Sequence, residues 1–172
     1  MPVSLHDAAV GHYLQILPAI IGLVDTAEAH CRAAGGDTGL TQCRLADDMW
    51  DFAKQITSVA HHSAGAIAGL RAGEFGPDFA AAPTDFAALR TRLTDALAEL
   101  KALDPAELES MIGSDMCFKI GDFRRDFTAE DFLLTFSVPN FYFHATTAYA
   151  ILRHQGVAVG KRDFLGEMRL KG

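Results

Sequence analysis

Asn140 and His144 stand four residues apart in SVPNFYFHATTAYAILRHQG, residues 137–156, and are the pair in this sequence best spaced to do chemistry. At about 100° per helical residue, Leu133, Phe136, Asn140, His144, Thr147 and Ile151 fall along one stripe of a single helix. Most of that stripe is apolar, so it faces a core and carries the amide and the imidazole inward with it. Buried without partners, each would cost on the order of 1–3 kcal/mol. They must therefore meet each other, a polar side chain of another helix, water or an ion. An imidazole and an amide one turn apart can be half of a metal site or half of a buried polar network.

A second helix offers the facing groups. Asp48, Gln55 and His62 recur every seven residues along one margin of its apolar face, while His61 points the other way. Adjacent helical residues diverge too far to share one ion, so His61-His62 is a weak metal signal. His12 and His30 fall at the edge of the first helix's apolar stripe and read as hydrogen-bonded edge histidines. Cys31, Cys43 and Cys117 are odd in number and share no C-x-x-C spacing, which argues against a disulfide framework or a zinc-thiolate site and for a reducing, cytoplasmic compartment.

These residues need long helices to carry them. Leu5, Ala9, Ile16, Ile20, Leu23 and Ala27 give a helix over 4–34, with Pro18 inside it and Gly35-Gly36 at its end. A second helix is expected over 47–72, with acidic residues at its start and Gly73 beyond its end. A third over 84–102 is capped by Thr84 and striped by Phe86, Leu89, Leu93, Leu97 and Leu100. The last spans 128–155, opened by Thr128 with Asp131. Between the last two helices, residues 110–127 lack helical periodicity and read as an irregular loop or a short hairpin. The expected fold is all-α, one domain over 1–172.

Composition narrows the function classes. The 172 residues are 49% hydrophobic and 22% charged, enough for a self-sufficient core. Fifteen basic against 22 acidic residues leave a net charge of −7, the wrong sign for a nucleic-acid or anionic-membrane surface. The apolar stretch YLQILPAIIGLV is too short to span a bilayer, and the N-terminus has no basic start followed by an apolar run. Phe141, Tyr142 and Tyr149 lie off the core stripe, an aromatic surface that suggests a homodimer.

The run PNFYFHATTAYAILRHQGVAVGKRDFLG, residues 139–166, resembles the signature of a bacterial family of unknown function within the DinB/YfiT-like superfamily of four-helix bundles. CRLADDMWDFAKQ, residues 43–55, and the spacing of the helices extend the resemblance over nearly the whole chain. It implies an up-down-down-up bundle and, in many members, a divalent metal held by one histidine of the second helix and an H-x-x-x-H pair on the fourth. That pair falls on Asn140 and His144, so this chain reads N-x-x-x-H, and Gln55 or Asp48 stands nearest the position of the third ligand. An imidazole suits zinc or nickel, whereas an asparagine amide is a poor ligand for either.

The expectation is thus a metal-free bundle that binds a small molecule or serves a structural role, with an eroded metal site in a pocket of Asn140, His144, Gln55, Asp48, His62 and Thr147. The alternative is a metal-dependent enzyme, a thiol or amide transferase or hydrolase, using zinc or nickel at His144 and Asn140. No serine or cysteine elbow and no glycine-rich phosphate loop offers another chemistry. The tail residues Lys161 and Arg162 are expected in solvent, with Phe164 and Leu165 anchoring the tail.

Overall fold

In the computed structural model, residues 3–36 and 39–171 are described. Asp37 and Thr38, in the loop expected after the first helix, lie outside them. The chain is mostly helical, with one small sheet. Helix α1, His6–Ala33, runs unbroken through Pro18 and begins with a π turn, His6–Val10. Helix α2 covers 52–72 and contains a second π turn, His61–Gly65. Helix α3, Phe86–Ala102, is followed by the short α4, Pro105–Ser110. Helix α5 covers 129–154 with a third π turn, Phe132–Ser137, and α6, Lys161–Leu165, lies in the tail.

Helices α2, α3, α4 and α5 each start where a side chain satisfies a free backbone N–H group. Thr128 Oγ1 accepts from Asp131 N at the start of α5, as the sequence suggests. Asp85, one residue past the expected Thr84, caps α3 by accepting from Ala88 N. Helix α2 begins at Phe52 and not near Asp47, because Asp51 supplies the cap by accepting from Lys54 N. Asp47 and Asp48 consequently belong to the preceding loop. The backbone of that loop is tied back where Phe52 N donates to Cys43 O.

The all-α expectation is corrected by a three-stranded sheet. Strand β1, Glu74–Phe75, pairs in parallel with β2, Asp115–Ile120, which pairs antiparallel with β3, Phe123–Thr128. Gly73, at φ 72°, ends α2 and turns the chain into β1. Gly121, at φ 56°, makes the tight turn between β2 and β3. The strands hold because Phe75, Phe118 and Phe127 all pack against Phe136 of α5, at 6.3, 4.9 and 6.0 Å between ring centroids.

Helix α1 packs on α3, α3 on α2, α2 on α5 and α5 on α1. Arg90 of α3 adds ion pairs to Asp25 and Glu28 of α1, both at 2.6 Å. Both faces of α5 are covered, one by α2 and the other by α1 and the tail. Phe141 is fully buried against Tyr13, Tyr142 shares a hydrogen bond with His12, and Tyr149 packs on Phe164. Phe141 is thus core, while Tyr142 and Tyr149 stay partly buried with partners in the same chain. The tail lies along α1, where Gln15 Nε2 donates to Leu165 O, and Val157 and Val159 join the core. Half of the most apolar stretch of α1 is buried, as in a core helix.

Candidate functional site

Between α2, α5 and the sheet lies a cavity of about 510 Å³. Its polar lining consists of Asp48, Gln55, His62, Asn140 and His144, and its apolar lining is mainly Trp50, Phe75, Phe118, Phe136 and Phe143. Five of the six expected pocket residues meet here. Thr147 does not: its hydroxyl donates to Phe143 O on its own helix, one turn further along. Asp48 is exposed and stands on the loop, not on the helical margin its spacing suggested.

Gln55 organises the site. Its side-chain Nε2 donates to the Trp50 carbonyl at 3.1 Å, which turns Oε1 toward His144. Nδ1 of His144 lies 2.7 Å from that oxygen. An amide oxygen only accepts, so His144 carries its proton on Nδ1 and presents a bare Nε2 as acceptor. Gln55 is 2% exposed and His144 6%, so this arrangement is dry and stiff. The His144 ring also lies nearly parallel to Trp50, at 5.5 Å and 14°, and to His62, at 5.4 Å and 19°.

Burial, reinforced by the charges of His61 and Lys54, pushes the His144 pKa down to about 4. Burial, together with His144 and His61, pushes that of His62 down to about 3. Both rings are neutral at physiological pH. Nδ1 of His62 is buried and has no hydrogen-bond partner among the described residues. His61 does not point away as its position on the helix suggested: its ring meets that of His62 edge-on at 5.6 Å, stacks on Phe75 and donates Nε2–H to Gly76 O.

The two π turns nearest the cavity set these side chains. The turn at His61–Gly65 directs the His62 ring toward α5, and its carbonyl accepts from Ser137 Oγ at 2.7 Å. Ser137 in turn accepts from Tyr13 O–H at 2.9 Å. The turn at Phe132–Ser137 lies immediately before Pro139, and Asn140 Nδ2 donates back to Phe136 O at 2.7 Å. Widened helical turns of this kind often accompany functional sites. Lys54 closes one side, donating to Ala80 O and Asp78 O and holding its ammonium 5.5 Å above Trp50.

Zinc or nickel fits these residues poorly. A zinc site draws on three or four protein donors converging on one point. Here the Asn140 amide is turned to its own helix, the Gln55 oxygen is occupied by His144, and the two remaining imidazoles stand in near-parallel planes. No group of three or more metal-ligating His, Cys, Asp or Glu occurs among the described residues.

Spacing found Gln55, His62, Asn140 and His144, with Phe136 on the same stripe, but missed the other aromatic walls of the site. Trp50 precedes the helix, so no periodicity marks it. Phe75 and Phe118 come from strands, and Phe143 sits beside the stripe. The one available signal was Gly121-Asp122 between aromatic-bearing runs, a hairpin turn pattern that would have brought Phe118 to α5.

No curated protein matches the chain. A DinB family member from Shewanella denitrificans, known from its crystal structure, is similar over 98% of this chain and 95% of its own, with 29% identity and a TM-score of 0.81. The arrangement is thus that of a DinB-like protein. Residues 5–165 match the family described as a domain of unknown function, DUF1993, and the chain belongs to that family.

Proposed function

We propose that this protein is a binding module that takes an uncharged small organic molecule into the cavity between α2, α5 and the sheet. The observation that carries this reading is the locked His144, whose Nδ1–H is held by Gln55 so that Nε2 stays an unprotonated acceptor in an aromatic chamber. The volume falls within the range of small-molecule sites, about 300–1,000 Å³, and so does the mix of aromatic walls with a few fixed polar groups. The site is read as an eroded form of the superfamily's metal site, with N-x-x-x-H in place of H-x-x-x-H. The helix packing supports the up-down-down-up four-helix arrangement that the same superfamily implies.

The enzymatic alternative is less well supported. A general base works best with a pKa near the working pH, and His144 lies far below it. Its orienting partner is an amide and not a carboxylate, so nothing stabilises the imidazolium that proton abstraction would form.

The single tryptophan, Trp50, stands at the cavity mouth, 44% exposed, and reports occupancy directly. Titration of tag-free protein with neutral aromatic fragments should shift its emission saturably, and metal analysis of the same sample should find substoichiometric metal. Stoichiometric zinc or nickel, lost in His144→Ala, would overturn the reading.

A further inference from the structure

We propose that the cavity's ligand is an uncharged aromatic hydroxyl compound, a phenol or naphthol, whose O–H donates to His144 Nε2 and whose oxygen accepts from His62 Nε2. The proposal rests on the reading of the cavity as a small-molecule site and names the class it takes.

The hydrogen-bond accounts of the two rings lead there. The Trp50 carbonyl fixes the Gln55 amide and Gln55 fixes the His144 tautomer, so His144 offers the cavity a lone pair and no proton. His62 has Nδ1 sealed away from any partner. A buried N–H without an acceptor is rarer than an unpaired acceptor, so the neutral ring keeps its proton on Nε2, the nitrogen left to the cavity. The site thus presents one acceptor and one donor on adjacent rings whose centroids are 5.4 Å apart. A single hydroxyl is both donor and acceptor and satisfies both; an ether can only accept.

Charge removes the competitors. No arginine lines the cavity, the nearby Lys54 ammonium is taken up by the Asp78 and Ala80 carbonyls, and Asp48 stands at its mouth, so a carboxylate or phosphate would be buried without a partner. The Lys54 ammonium over Trp50 opposes a cationic ligand at the same wall. The remaining walls are the rings of Trp50, Phe75, Phe118, Phe136 and Phe143, which favour a flat apolar body.

Calorimetry on the full chain near neutral pH with naphthol, its methyl ether and naphthoate tests this. Naphthol is expected to bind about ten-fold tighter than the ether or better, the worth of one good hydrogen bond, and naphthoate more weakly than either. In His144→Phe, which keeps a ring of similar size, naphthol and ether should bind alike. Should that variant fail to fold, the contrast among the three compounds in the unaltered protein carries the test by itself. Equal binding of naphthol and ether by the unaltered protein would overturn the hydroxyl class and leave the small-molecule reading standing. Tightest binding of naphthoate would likewise overturn the class. Absence of binding by all three would overturn both.

Discussion

Ser137 of α5 donates its hydroxyl to the His62 carbonyl of α2 at 2.7 Å, and both residues sit in π turns. The bond joins the two irregular helices at the depth where the cavity begins. Tyr13 donates to Ser137 from the other side, so three helices meet at one hydroxyl. Burial raises the Tyr13 pKa above its ordinary value and keeps the phenol a donor.

Ser137→Ala should therefore lower stability by about 1–3 kcal/mol, the cost of stranding a buried carbonyl and a buried phenol. Tyr13→Phe should cost about 1 kcal/mol, and the double variant less than the sum, because both act on the same chain of bonds. Urea unfolding of the three variants measures this. Strict additivity would mean that the relay does not exist in solution.

Stability should fall with acid. The folded pKa values of His62 and His144, about 3 and about 4, lie below the ordinary 6.5, so the unfolded chain binds more protons in the window between. Their contribution is complete above about pH 6.5 and is lost progressively as pH drops toward 4 and then 3. From about pH 7 to about pH 5 each ring should cost on the order of 2 kcal/mol. Urea midpoints across that range check it, and the slope should be shallower in His144→Phe.

Gln55→Glu should turn the amide partner of His144 into a carboxylate. The His144 pKa should then rise from about 4 toward or past 6.5, which proton NMR of the ring would follow. An unchanged titration would mean that Gln55 does not hold His144 in solution.

Much of this site was legible because it is periodic. Asn140 and His144 follow from the 3.6-residue repeat of α5, and Gln55 and His62 from the seven-residue spacing on α2. That spacing survives the π turn because the turn begins at His61, so Gln55 lies a full turn before the disturbance. Asp48 reaches the cavity from the loop and not from the helix, because capping decided where α2 starts and Asp51 was the better cap. The sheet was less legible: β1 is two residues long, and β2 packs against aromatic rings far off in sequence, so its stability is tertiary. The partners of the aromatic rings off the stripe were hard to read for a similar reason. Stripe arithmetic assigns one buried face per helix, and α5 has two.

Asn140→His should bring a third imidazole to the cavity beside His62 and His144, with i,i+4 spacing on α5. The variant should bind zinc or nickel measurably more tightly than the parent in calorimetry. No gain in affinity would remove the idea of an eroded metal site while leaving the small-molecule reading untouched.

The contact between Gln15 and Leu165 spans 150 residues of chain. During synthesis α1 is made long before the segment that lies along it. Until then the face of α1 around Gln15 lacks its cover, and contacts of such long sequence separation form slowly. A chain released before Leu165 is made would thus leave that face of α1 open.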